Sequence, residues 1–207
     1  MRNPSDVHEL FEQLRQKLHA QPGQALNLPG LELREAAVLV PLLEREGAPH
    51  ILFTKRPTTL RSHAGQFSFP GGGREPSDET PLHTALREAE EEIGIPPAQV
   101  QVLGMLDESP TVTSFRIRPF VGVIPGALTY RPNPDEIALI LEVPLGALLD
   151  PRASRREMWR RGGREHEVYF FDYGQHVIWG ATARILVELL EKARGLPAFE
   201  ALRSGVS

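Results

Sequence analysis

The chain has 207 residues, 41% apolar and 24% charged, the composition of a globular protein able to bury a full core. A formal charge of −4 argues against nucleic-acid binding through a general basic surface, and the absence of cysteine excludes disulfide scaffolds, thiolate metal sites and cysteine nucleophiles. The N-terminus lacks the apolar stretch of a secretory signal, and no run approaches the roughly 18 residues of a bilayer span, so a cytoplasmic protein with no membrane partner is expected.

One domain over 1–207 is the default for this length. Ser5 or Asp6 can cap a first helix, about 5–20, in which Val7, Leu10, Phe11, Leu14 and Leu18 follow helical spacing. AAVLVPLL (36–43) and HILFTKR (50–56) predict two strands joined as a hairpin by EREGAP. Residues 57–81, rich in Gly, Pro, Ser and Thr, predict a long loop, the kind that inside a compact domain is functional or disordered. A helix follows over 81–93, with Thr80 as N-cap, Pro81 at its first position and Gly94 as C-cap. VQVLGML (100–106), IRPFVGVI (117–124), EIALILEV (136–143) and HEVYFFDY (166–173) predict further strands, with a helical turn near LGALL after Pro144. Ile178, Thr182, Ile185, Leu186, Leu189 and Leu190 predict a closing helix over about 178–194. Interleaved strands and helices, with several strand pairs joined by short turns, imply an α/β fold with a mixed sheet covered on both faces.

The segment TALREAEEEIG (84–94) places four glutamates in five positions, although like charges at these spacings repel. With Glu88 set at zero and about 100° per residue, Leu82, Ala85, Leu86, Ala89 and Ile93 form one buried stripe. Glu92, Glu88 and Glu91 share the sector beside it, and Glu90 faces elsewhere. An oxygen-rich cluster bordering a core stripe suits a hard divalent cation such as Mg²⁺ or Mn²⁺; the alternative is a solvated acidic face.

From Gly72 to Ile95 the chain reads GGREPSDETPLHTALREAEEEIGI, which resembles the Nudix box. Gly73, Glu79, Arg87, Glu88, Glu91, Glu92, Gly94 and Ile95 fall in register, with Ala89 small where a larger aliphatic is usual. The resemblance implies a loop–helix–loop metal site on an α/β/α sandwich that hydrolyses a nucleoside diphosphate linked to another moiety. It makes Glu88 and Glu92 the principal ligands of Mg²⁺ or Mn²⁺ and Glu91 a further ligand or water-organising base. Gly72 joins them through its backbone, Arg87 orients the carboxylates, and Glu79 steadies the loop by ion pairing. Members of this family also take the base from a later loop, for which Glu136 and Glu108 are the candidates.

Residues 52–72, LFTKRPTTLRSHAGQFSFPGG, resemble the signature of coenzyme A pyrophosphatases, matching at Leu52, Thr54, Arg56, Arg61, Gly65, Phe69, Pro70, Gly71 and Gly72 and departing at Phe53 and Pro57. The resemblance implies coenzyme A or a derivative as the small-molecule substrate. Its 3′-phosphate calls for cations apart from the metal, and Lys55, Arg56, Arg61 and His63 are suited to it, while Gly71 and Gly72 permit close backbone approach. A broader pyrophosphatase of NADH, ADP-ribose or dNTPs, and a non-catalytic nucleotide-binding module, are the competing readings. The first helix and RRGGREHEV (160–168) are candidates for substrate coverage or a homodimer contact.

Overall fold

The computed structural model describes residues 4–27, 30, 32–59, 64–111, 114–161 and 163–205. Its centre is β1 (Arg34–Arg45), buried on both faces from Ala37 to Leu43. The parallel neighbour β7 (Phe115–Val123) runs along one edge of β1 in unbroken register from Arg34↔Phe115 to Leu42↔Val123. On the other edge β2 (Ala48–Lys55) pairs only with the last residues of β1, through a two-residue turn in which Glu46 and Gly47 both have positive φ. The two strands then part. The gap between them holds β3 (Phe67–Ser68), paired to β2, and β4 (Gly71–Gly73), paired to the first half of β1. Pro41, unusual in a central strand, lies between the registers of β4 and β2, so its missing N–H costs no ladder bond.

The short β6 (Ser109–Pro110) and β5 (Gln101–Met105) extend the sheet beyond β7, and β8 (Leu139–Pro144) extends it beyond β2. All pairings except β1 with β7 are antiparallel, as expected of a mixed sheet. One face packs on α2 (Pro81–Ile93) through Ala37, Leu39, Leu43, Leu52, Ala85, Ala89 and Ile93. The other face, with Val38, Val40, Leu42, Ile51 and Phe53, is covered by α1 (Pro4–Ala20), α4 (Ala181–Ala193) and α5 (Pro197–Ser204). The apolar stripe of α1 is buried as its spacing predicts. A one-turn α3 (Leu145–Leu148) follows β8. A second antiparallel sheet, β9 (Ser154–Arg161), β10 (Arg164–Tyr173) and β11 (His176–Trp179), adds Phe171 and Ile178 to the larger core.

Two expectations need correction, and one strand lies outside those expected. The strand expected at 136–143 begins only at Leu139, because Glu136 lies in a turn whose N–H bonds back to the Asn133 carbonyl. The closing helix begins at Ala181 rather than about 178: Ile178 shares the helical spacing but belongs to β11, and Gly180, with φ 70°, turns the chain between them. β9, SRREMWRR, carries too many arginines to show apolar alternation, so its strand character comes from pairing with β10.

Candidate active site on helix α2 and the glycine strand

Helix α2 is closed at both ends by its own sequence. Thr80 accepts a hydrogen bond from the His83 N–H at 3.1 Å, and the left-handed Gly94 donates to the carbonyls of Ala89 and Glu90. Ala85, Ala89 and Ile93 are fully buried, so the small Ala89 sits directly on the sheet. The sector beside this stripe lies against β4. A Cβ at Gly72 would come 2.5 Å from Glu88 Oε1, and one at Gly71 would collide with the Ala37 carbonyl while φ there is 153°. Glycine is therefore required at 71, where the strand crosses the backbone of β1, whereas a side chain at 72 would push the Glu88 carboxylate aside. Phe53, a departure from the signature, stacks on Phe69 with ring centroids 5.0 Å apart and pins the segment leading into β4.

Two carboxylates face this backbone. Glu92 is 3% exposed, and its Oε2 accepts the Gly71 N–H at 3.2 Å. Burial pushes its pKa up to about 8; the Gly71 N–H opposes this, Glu88 adds to it, Arg56 opposes it and Glu136 adds to it. Burial also raises Glu88, against Arg87, with Glu91 and Glu136 contributing. Glu136 is thus brought within electrostatic reach of both. The loop before β8 carries it there by docking on the end of α2, where the Asn133 N–H donates to Glu92 O at 2.8 Å and the Arg131 N–H to Ile93 O at 2.9 Å. The Asn133 side-chain amide then donates to Glu136 Oε1 at 3.2 Å.

Glu91 differs from the expectation of three convergent carboxylates. Its side chain is 57% exposed and bonded to Arg87 Nη1 at 2.8 Å, and among the described residues no three acidic or imidazole groups already converge on one point. Glu88 and Glu92 nonetheless fit a hard divalent cation: both are oxygen donors on successive turns, facing glycine backbone, and burial raises both pKa values, an effect that a bound cation would reverse. Glu90 is exposed, as the wheel predicts.

The ion pair expected of Glu79 also needs correction. Glu79 is exposed and makes no ion pair among the described residues; Asp78, 3% exposed, holds Arg87 instead. Neither Asp78 nor Asn133 carries a periodicity signal, and the family pattern points to the neighbouring Glu79. Glu108 is no free base: its carboxylate is 1% exposed, ion-paired to Arg118 and Arg116, and accepts the Leu26 N–H at 2.8 Å. Of the expected substrate cations, Arg56 leaves β2 on the carboxylate side, where its charge opposes the rise in the Glu92 pKa. Lys55, one residue earlier, points to the opposite face of the sheet, with Nζ over the Phe67 ring at 5.4 Å. Arg61 and His63 lie outside the described residues.

A family profile described as NUDIX domain matches residues 33–161, which span both β4 and α2. The chain is 45% identical over 161 residues to a protein of Photorhabdus laumondii, covering 78% of this chain and 86% of that one. The chain belongs to the Nudix hydrolase family. A Shigella flexneri relative is 41% identical over 185 residues, with 89% of this chain and 91% of the relative covered. Both relatives are described as uncharacterized Nudix hydrolase NudL. Among solved structures, a MutT/nudix family protein from Enterococcus faecalis aligns with TM-score 0.49 at 12% identity, over 98% of this chain and 80% of that chain. Nudix hydrolases act on pyrophosphates and generally use divalent ions such as Mg²⁺ or Mn²⁺, which matches the donor chemistry of Glu88 and Glu92.

Proposed function

We propose that this Nudix hydrolase cleaves the pyrophosphate of coenzyme A or a derivative, giving 3′,5′-ADP and 4′-phosphopantetheine or its derivative. The observation that carries the reading is the continuity of the two motifs. The signature segment leaves β2 at Arg56, is closed at its base by the Arg56 N–H to Gln66 carbonyl bond of 3.1 Å, and returns as the glycine strand against Glu88 and Glu92. An arginine and two carboxylates thereby meet at one loop, as a pyrophosphate joined to a second phosphate demands. The whole chain, 1–207, acts as one domain in this reading, in a reducing cytoplasm.

Glu88 and Glu92 would hold Mg²⁺ or Mn²⁺, with Glu91 recruited from Arg87 and the Gly72 backbone close by. A bound ion of this class lowers the pKa of a coordinated water and neutralises the leaving phosphate. Arg87 keeps Glu88 and Glu91 oriented, and Arg56 offers the phosphates a planar, permanently charged fork. In this reading Glu136, half-buried and within electrostatic reach of both glutamates, accepts a proton from the attacking water. Arg61 and His63 are left for the more distant phosphate, and Lys55, on the opposite face of the sheet, takes no part in this reading. Product mass spectrometry with Mg²⁺ and coenzyme A, NADH or ADP-ribose tests the substrate: coenzyme A should be preferred, and a clear preference for ADP-ribose would overturn it. Glu92→Gln should abolish turnover while the protein stays folded; unchanged turnover would refute the metal assignment and favour a non-catalytic module.

A further inference from the structure

We infer that Asp78 is the positioning residue of this metal site, in the place that the family pattern gives to Glu79. The inference rests on the reading of Glu88 and Glu92 as metal ligands. Four donors converge on the Asp78 carboxylate: the Glu75 N–H at 2.9 Å, Thr84 Oγ1 at 2.9 Å, Arg87 Nε at 3.0 Å and Arg87 Nη2 at 3.1 Å. The first belongs to the loop leaving β4 and the others to α2, so one carboxylate ties the loop to the helix. The two arginine bonds form a planar bidentate pair, which sets the tilt as well as the position of the guanidinium. Its side chain is completely buried and that of Arg87 is 16% exposed, so solvent cannot easily replace either partner.

Once Nε and one edge of Nη2 are held by Asp78, the rest of the fork points at the cluster. Nη1 donates to Glu91 at 2.8 Å, and Nη2 donates to Glu88 at 3.0 Å and reaches the Gly73 carbonyl at 3.3 Å. Arg87 therefore partly neutralises two glutamates, in competition with a metal ion. Asp78 limits that competition, because it keeps the guanidinium back at the loop and shares its charge. Without Asp78 the arginine is free to swing onto Glu88 and Glu91, and the cation has to displace it. Glu79, exposed and one residue outside the turn, exerts no such hold.

Mn²⁺ binding to the substrate-free protein, measured by electron paramagnetic resonance, tests this without relying on turnover. Loss of an outer-shell partner typically weakens metal affinity about 10- to 100-fold, and this is expected for Asp78→Asn, with kcat falling further than KM rises. Glu79→Gln should stay within about twofold of the wild type. Thr84→Val removes one donor to the same carboxylate without touching the guanidinium, so it should lower thermal stability but leave Mn²⁺ affinity within about threefold. A loss for Glu79→Gln of tenfold or more overturns the proposal, as does an equal loss for Thr84→Val and Asp78→Asn, or unchanged affinity in folded Asp78→Asn. If Asp78→Asn does not fold, the Glu79→Gln arm decides alone. Glu92→Gln serves as reference: if it keeps wild-type Mn²⁺ affinity, the metal reading fails, and if it loses affinity while Asp78→Asn does not, only the Asp78 assignment fails.

Discussion

Glu188, far from the glycine strand, gives the fold a pH dependence of its own. This glutamate of α4 is half-buried, and its Oε1 accepts the Asp107 N–H at 2.6 Å, where the loop after β5 meets the helix. Burial and the Asp107 charge push its pKa up to about 7, against the Asp107 N–H, Lys192 and Arg184. Because the folded value lies above the unfolded one, stability from the protonated form is fully present below about pH 4.5 and is lost as pH rises through about 7. The shift corresponds at most to about 3 kcal/mol. Solvent reaching a half-buried group reduces this to about 1–2 kcal/mol. Glu188→Gln keeps an acceptor for the Asp107 N–H and removes the charge. In urea unfolding at pH 8 the variant should be about 1–2 kcal/mol more stable than the wild type, with Tm higher by about 3–6 °C, and at pH 5 the two should agree within about 0.5 kcal/mol. A Gln variant less stable at pH 8, or a difference independent of pH, would refute the reasoning.

Glu108→Gln should destabilise by about 2–4 kcal/mol in urea, because it breaks the buried pair with Arg118 and leaves that arginine without its acid, whereas Arg116 keeps Glu35 at 2.6 Å. Gly104→Ala should lower Tm, at a cost of about 1–3 kcal/mol, since φ there is 152° and the new Cβ would lie 2.7 Å from the Leu18 Cβ of α1. Saturating Mn²⁺, at about 100 times Kd, should stabilise the wild type by about 2.7 kcal/mol in thermal unfolding, and Glu92→Gln should remove that gain. Glu90→Gln should leave turnover within about twofold, because its side chain is exposed beside the site without facing it.

Local chemistry makes much of the fold legible in the amino-acid sequence. Helix α2 is bounded by Thr80, Pro81 and Gly94, three residues whose backbone preferences act within one turn, and its ends fall where those residues imply. The apolar stripe of α1 and the β1–β2 hairpin likewise follow from spacing and turn residues that need no distant partner. The division of the glutamates into those beside the core and Glu90 away from it is helix geometry alone.

What the sequence could not decide depends on which side chain reaches which partner across the chain. Asp78 and Glu79 are adjacent acids with the same charge; only the turn closed by the Glu75 N–H and Thr84 aims the first at Arg87 and leaves the second in solvent. Lys55 and Arg56 are adjacent cations, yet Lys55, the last residue of β2, stands over the Phe67 ring, while Arg56, just beyond the strand, acts on Glu92. Glu136 and Glu108 are both candidate bases in the sequence, yet docking of one loop on α2 brings Glu136 toward the carboxylates, while two arginines of β7 hold the buried Glu108 elsewhere. Motif and periodicity are local properties of the chain and are carried by the sequence itself. Burial and ion pairing arise between residues far apart in the chain, so they belong to the tertiary structure.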